Sequence, residues 1–193
     1  MLPWKEVFNM RFSENRKVAF AVLAVCVIVS IFGLGGMGLA RERSKVLEVY
    51  DRGTDANQTT RHSVDAYLDS AAENAALMAS EAGLHMDASP LIDNVAQLGQ
   101  KVANEQNTVA RNEAFTALKT AVDQLYDATY RAVKGDDFKN FKVAYDNFWE
   151  NVNMIKYDDY AKLAASYNDL ISGIPGSLVA KVTGQGALNT FGG

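Results

Sequence analysis

The chain has 193 residues, a formal net charge of −4 and 48% apolar residues, which suit one domain with an appendage. With only 3 Pro and 14 Gly, the composition favours helices. Cys26 is the only cysteine, which excludes a disulfide framework or a thiolate metal site within one chain. Two histidines, His62 and His85, are a poor inventory for acid–base or metal chemistry.

An uncharged run, here called the apolar segment, covers residues 18–40. At about 1.5 Å per residue it reaches roughly 34 Å, enough to cross a hydrocarbon core of about 30 Å. We interpret it as an uncleaved transmembrane helix after a short N-terminal tail, residues 1–17. The alternative is a signal peptide cleaved after residues 38–40, but the segment is longer than a typical h-region of about 7–15 residues.

Glycines at positions 33, 35, 36 and 38 lie inside the apolar segment. They would admit close packing of another helix, but no Gly-x-x-x-Gly spacing occurs, so we interpret them as incidental.

Charge around the apolar segment indicates its orientation. The first 17 residues carry four basic and two acidic side chains, a net +2, and since the whole chain carries −4 the remainder carries −6. Basic flanks tend to stay in the cytoplasm, although Arg41, Arg43 and Lys45 nearly balance the N-terminal four. The counts favour a single-pass protein of the bacterial inner (cytoplasmic) membrane, with its main domain outside the cytoplasm.

Three helices are predicted after the apolar segment. Residues 41–86 form the first, whose polar middle, residues 51–63, is either helix that projects beyond the bundle or a hinge at Gly53. Its apolar stripe is Val64, Leu68, Ala71, Ala75, Met78, Ala82 and His85. The second covers Pro90 to Asn104 with Ser89 as N-cap. The third runs from about Asn107 to Lys134–Gly135, and its stripe is Phe115, Leu118, Val122, Leu125, Thr129 and Ala132.

A fourth helix of about 35 residues is predicted from Asp136–Asp137 onward. Its stripe starts as Phe138, Phe141, Tyr145, Phe148, Val152 and Ile155 and continues as Tyr160, Leu163, Tyr167, Leu170 and Ile174. The spacing slips across residues 156–159, which indicates a local bulge or a rotation of the buried face. Pro175 ends the helix. Leu178, Val179 and Val182 then predict a short helix that folds back over one end of the bundle, before a Gly-rich tail, residues 184–193.

Few side chains have the spacing of a chemical site. His62 with Asp65, and Glu81 with His85, resemble ligand pairs, but a surface pair is the simpler interpretation. No nucleophile or phosphate-binding motif is present. The aromatic stretch of residues 138–160 carries three lysines against four acidic residues, which argues against nucleic acid and favours a core role. We predict no catalytic, cofactor-binding or metal-binding residues.

The C-terminal part of the chain resembles the C-terminal half of LemA family proteins. The resemblance is carried by Glu150, Asn151, Tyr160, Tyr167, Asn168, Ile171, Pro175, Leu178 to Ala180 and Gly184, together with the N-terminal anchor. The family's N-terminal signature is absent, so the chain resembles a divergent member. The resemblance implies an anchored α-helical bundle of the bacterial envelope, here residues 41–183, and gives these residues structural roles.

The predicted fold class is all-α: an N-terminal transmembrane helix, an elongated antiparallel helical bundle and a short C-terminal capping helix. The predicted function is that of a non-catalytic, membrane-anchored scaffold or interaction protein. Its expected partners are the lipid bilayer, through residues 18–40, and further copies of itself or other envelope proteins, with no nucleic acid and no cofactor. The alternative is an extracytoplasmic ligand-sensing bundle that works with a separate signalling partner.

Overall fold

The computed structural model describes residues 16–53, 55–56, 59–60, 62–87, 89–133 and 135–191. Most of the predicted N-terminal tail and the last two residues of the Gly-rich tail lie outside this part of the chain. The fold is all-α, as predicted, apart from one ladder of two-residue strands that follows Gly53. An N-terminal apolar helix precedes a helical bundle.

The helices and strands have the following bounds. The first helix runs as α1 (Arg16–Val29), a π-helical turn (Ser30–Leu34) and α2 (Gly35–Arg52), after which β1 (Asp55–Ala56) pairs antiparallel with β2 (Thr59–Thr60). The remaining helices are α3 (Val64–His85), α4 (Pro90–Asn104), α5 (Thr108–Ala132), a 3-10 turn (Gly135–Phe138), α6 (Lys139–Lys156), α7 (Asp159–Ser172) and α8 (Gly176–Thr183).

These elements form two compact units. The first, the anchor unit, comprises the described residues up to Arg43 together with Asp169–Gly186. The second, the bundle unit, comprises Ser44–Asn168 with the described residues from Ala187 onward. The chain therefore returns to its N-terminal apolar helix before it ends.

Helix α3 is the centre of the bundle unit and packs against α4, α5 and α6. Six positions of its predicted stripe are fully buried, from Val64 to Ala82, whereas His85 is exposed. Small side chains on this stripe allow a close approach: a Cβ at Gly99 of α4 would lie 3.4 Å from the carbonyl oxygen of Ala72. The predicted stripe of α5 is likewise buried except for Ala132.

Side-chain caps start three of the bundle helices. Ser63 accepts a hydrogen bond from the amide of Ala66 (3.1 Å), and Ser89 accepts one from Leu91 (3.3 Å) before Pro90 begins α4. The side-chain oxygen of Asn107 accepts hydrogen bonds from the amides of Val109 (3.0 Å) and Ala110 (3.2 Å) in α5. The predicted starts at Ser89 and Asn107 are therefore confirmed, because each side chain satisfies an amide that the helix leaves unpaired.

The predicted fourth helix is wrong in its length. It breaks at Tyr157–Asp158 into α6 and α7, within the stretch where the stripe slips. The carboxylate of buried Asp158 accepts a hydrogen bond from the amide of Tyr160 (2.8 Å), so it starts a new helix instead of continuing the old one. The third helix also ends earlier than predicted, at Ala132.

The part of the predicted stripe that follows the slip, from Tyr160 to Ile174, is not buried as one continuous face. Tyr160 and Tyr167 are buried, but Leu163 is partly exposed, and Leu170 and Ile174 are 55% and 87% exposed. The prediction that Leu170 and Ile174 close the helix onto the bundle is wrong, because the chain from Asp169 belongs to the anchor unit.

In the anchor unit, α8 packs against the glycines of the apolar segment. A Cβ at Gly35 would lie 3.5 Å from a methyl of Val179, and one at Gly36 would lie 2.8 Å from the methyl of Thr183. Interpreting Gly35 and Gly36 as incidental is therefore wrong, because their missing side chains make room for α8; a Cβ at Gly33 or Gly38 would meet no atom within 4 Å. The sequence predicted that α8 folds back over one end of the bundle. In the structure α8 packs against the apolar segment instead.

Candidate functional site

The described residues contain no group of three or more His, Cys, Asp or Glu side chains that could hold a metal ion. His62 is exposed and lies edge-on to the ring of Tyr67, at 5.9 Å between centroids. Asp65, three residues after His62, forms an ion pair with Arg111 instead. Glu81 and His85 lie on α3 with His85 exposed. Neither pair therefore belongs to a group of metal-ligating side chains among the described residues.

A buried polar cluster surrounds Arg111, which is only 6% exposed. Its Nε donates a hydrogen bond to the carbonyl oxygen of Val102 in α4 (2.8 Å), and Nη1 donates to the hydroxyl of Tyr50 in α2 (3.2 Å). Nη1 and Nη2 also donate to carboxylate oxygens of Asp65 and Asp69 in α3, the second at 2.6 Å. One side chain on α5 therefore joins three other helices.

The electrostatics of this cluster keep the arginine charged. Burial lowers the pKa of Arg111, but Tyr50, Asp65 and Asp69 outweigh burial, so the net direction is upward. Burial raises the pKa of Tyr50 to about 12, against the opposing effect of Arg111. Burial also raises the pKa of Asp69. The donors of the guanidinium are bonded to acceptors of the same cluster. This geometry suits a structural role, in which Arg111 joins the helices.

Sequence reasoning missed Arg111, although a signal was present. Arg111 lies four residues before Phe115, so it extends the apolar stripe of α5 by one position. A charged residue on a buried stripe requires a partner. Asp65 and Asp69, spaced i, i+4 on α3, are that partner, but only the packing of α3 against α5 identifies them.

The residues that carry the LemA resemblance do not form one site. Those of the bundle unit are Glu150, Asn151, Tyr160, Tyr167 and Asn168, and those of the anchor unit are Ile171, Pro175, Leu178, Ala180 and Gly184. Glu150 and Leu178 are exposed, whereas Ala180 is buried. Gly184 ends α8 in the left-handed conformation (φ 68°), which favours glycine.

Two of these residues hold the C-terminal tail in the bundle unit. The Asn168 amide donates to the carbonyl oxygen of Leu188 and accepts from its backbone amide, both at 2.8 Å. Tyr160 lies 6.1 Å from Phe191 and 5.3 Å from Tyr50, between ring centroids. The described part of the predicted Gly-rich tail is therefore tied down, with Leu188 and Phe191 buried.

An open groove of about 500 Å³ lies between α5 and α6. We call it the α5–α6 groove; its lining includes Phe115, Lys119, Asp123, Asp127, Trp149, Asn153 and Lys156. One oxygen of Asp123 accepts hydrogen bonds from the hydroxyl of Tyr145 (3.1 Å) and from Nε1 of Trp149 (3.2 Å). Burial, and then the bond to Asp123, raise the pKa of Tyr145 to about 12.

The aromatic stretch is only partly the core that was predicted. Phe141 and Phe148 are buried, but Tyr145 and Trp149 are half-exposed. Tyr145 stacks on Tyr126 of α5 at 4.0 Å between centroids. Acids, lysines and aromatic rings therefore meet along one open groove, an arrangement that suits a small ligand carrying both charges.

Comparisons with protein-family models, with curated proteins and with solved structures find no match to this chain. The LemA resemblance therefore stays a prediction that rests on the residues above.

We expect Arg111→Ala to lower the free energy of unfolding by about 2–4 kcal/mol, because it leaves Asp65, Asp69 and a helix-end carbonyl without their shared donor. Arg111→Lys keeps the positive charge but loses the planar guanidinium fork. Its free energy of unfolding should lie between those of the wild type and of Arg111→Ala. Guanidinium unfolding of the full chain in detergent, followed by circular dichroism, measures the change.

Arg131→Ala is the matched control, since Arg131 lies exposed on the same helix; it should cost no more than about 0.5 kcal/mol. Equal losses for Arg111→Ala and Arg131→Ala would show that the buried cluster does not join the helices.

Proposed function

We propose that this chain is a non-catalytic interaction protein of the bacterial envelope, anchored by its apolar segment and working through contacts of its bundle unit. The observation that carries the proposal is the exposure of the apolar segment. Val22, Leu23, Val25 and Ile28 are 46–59% exposed, and Phe20 is 70% exposed. Complete burial of such a side chain stabilises by about 1.5–3 kcal/mol, so leaving about half of each in water forgoes roughly half of that, which a bilayer would restore.

One helix of the described chain, Ala19–Arg52, is long and apolar enough to cross a membrane. A signal sequence near an N-terminus meets the same criteria, so length and composition alone leave both interpretations open. The packing of α8 on Gly35 and Gly36 supports an anchor that is retained, since cleavage after residue 40 would remove the surface on which α8 rests.

Membrane extraction tests the anchor. We expect the full chain to stay in the membrane pellet after alkaline carbonate and to have the mass of the uncleaved sequence. Ile28→Asp should shift it to the soluble fraction, because a carboxylate at the centre of a span costs about 2.5–3.5 kcal/mol. Met37→Asp is the control, since Met37 is exposed near the end of the segment; this variant should stay in the pellet. A mature chain that begins after Ala40 would refute the anchor.

The contact surface that we propose lies on the outer side of α3 and α6. It is defined by Asn74, Leu77, Glu81, Asn140, Val143 and Asn147, which line a shallow groove of about 240 Å³. On each helix the three residues are spaced i, i+3, i+7, which places them on one face. Leu77 and Val143 are 56% and 51% exposed at its centre. An apolar centre with a polar rim is typical of a protein interface.

A second copy of the chain is the proposed occupant, in keeping with predicted self-association. We expect light scattering of the detergent-solubilised chain to give more than one copy per particle, and Leu77→Glu to reduce this to one copy by placing a charge at the interface centre. Val109→Glu, at a 50% exposed position on α5, should leave the particle mass unchanged. A wild-type chain that is monomeric at every concentration would contradict this part of the proposal.

The second candidate function, a ligand-sensing bundle, is favoured by the α5–α6 groove. Its volume lies within the range of about 300–1,000 Å³ usual for small-molecule sites. Asp123 and Lys119 offer both charges for a zwitterion such as an amino acid.

We expect that, if the chain is a sensor, at least one amino acid of a panel raises its melting temperature in a saturable way, because it binds only the folded form. Asp123→Asn should abolish the shift by removing the carboxylate charge, while Asp93→Asn, an exposed site on α4, should retain it. A flat response across the panel would remove this candidate.

A further inference from the structure

The end of α7 and the whole of α8 form a second apolar element, here called the C-terminal hairpin (residues 170–183). No charged residue occurs from Leu170 to Ala180. Four large apolar side chains spaced four residues apart are exposed along it, namely Leu170, Ile174, Leu178 and Val182, at 55%, 87%, 53% and 67%. This is more apolar exposure than a short water-facing hairpin normally carries.

The hairpin lies beside the apolar segment, within the same compact unit. Val179 and Thr183 pack on Gly35 and Gly36. At the turn, Pro175 and Gly176 line an apolar cavity of about 470 Å³ together with Ser30. Gly36 and Ser30 precede Ala40 by four and ten residues, so the hairpin runs alongside the segment from about 6 Å to about 15 Å inside its end.

Several polar groups of the hairpin are paired locally, with carbonyl oxygens of the hairpin or of Asp169 just before it. The hydroxyls of Ser172 and Thr183 donate to the carbonyl oxygens of Asp169 and Val179, at 2.9 and 2.8 Å. The amide of Ser177 donates to the carbonyl oxygen of Gly173 across the turn (2.8 Å). Internal satisfaction of hydroxyl and backbone groups is what a hydrocarbon environment demands, since no water is available there.

We propose that the C-terminal hairpin is embedded in the bilayer, in the leaflet where the apolar segment ends, with its four exposed apolar side chains against lipid acyl chains. The inference rests on the proposed anchor, because the apolar segment sets the depth of the hairpin. Lys181, the only charged residue after Asp169, lies on the last turn of α8, from which its long side chain reaches the headgroups. The chain would thus insert into the bilayer through two elements, the apolar segment and the C-terminal hairpin.

Depth-dependent quenching in liposomes tests the proposal with the full chain. Single-cysteine chains carry a fluorophore at native Cys26, or at Ile174→Cys, Leu178→Cys or Val109→Cys in a Cys26→Ser background. Vesicles of phosphatidylcholine and phosphatidylglycerol contain lipids brominated on their acyl chains. We expect quenching at positions 174 and 178 as large as at Cys26, and none at position 109, which lies in the bundle unit.

The outcomes separate the two proposals. Quenching at Cys26 without quenching at 174 and 178 would overturn the embedded hairpin and leave the anchor intact. No quenching at Cys26 would overturn the anchor, and the hairpin with it. Labels at 174 and 178 that are shielded from both brominated lipid and aqueous iodide would show that a second protein copy covers the hairpin, which also overturns the proposal.

Discussion

The guanidinium of Arg111 is the point at which α5 is bonded to α2, α3 and α4. A buried cation is tolerated only when its donors are used, and here its acceptors come from α2, α3 and the last turn of α4. Asp65 and Asp69 remain 42% and 50% exposed, so they keep part of their hydration while neutralising the arginine. The joint therefore specifies one arrangement of helices at a lower desolvation cost than a wholly buried ion pair.

A different constraint organises the anchor unit. Glycines in the apolar segment let α8 approach the backbone, and Gly176 admits the tight return from α7, since a Cβ there would collide with the carbonyl oxygen of Leu170. In a membrane, where apolar burial between helices gains little over lipid, such close packing is the main source of helix association. The same small residues that weaken a lone helix thus create a docking face within one chain.

The anchor unit and the bundle unit present different surfaces. The anchor unit presents apolar side chains outward, which suits contact with lipid, whereas the bundle unit encloses an apolar core and presents open grooves, one of them with Leu77 and Val143 exposed at its centre. Burial is the main cause of the raised pKa values of Tyr50 and Tyr145; the hydrogen bond to Asp123 adds to the rise for Tyr145, whereas Arg111 opposes it for Tyr50. Perturbed groups that serve packing are common in structural networks, so they do not by themselves indicate catalysis.

The sequence by itself determined the helical class, the apolar segment and most helix bounds, because periodicity, Ser and Asn caps and Pro act over a few residues. It also located the slip before Tyr160, although it could not distinguish a bulge from the break that Asp158 creates. Only the tertiary structure decided which neighbour each stripe meets. Leu170 and Ile174 continue a regular apolar pattern yet remain exposed, and Arg111, one position before another such pattern, is charged yet buried. Local spacing shows that a face is apolar, but its partner is chosen by contacts between residues far apart in the chain.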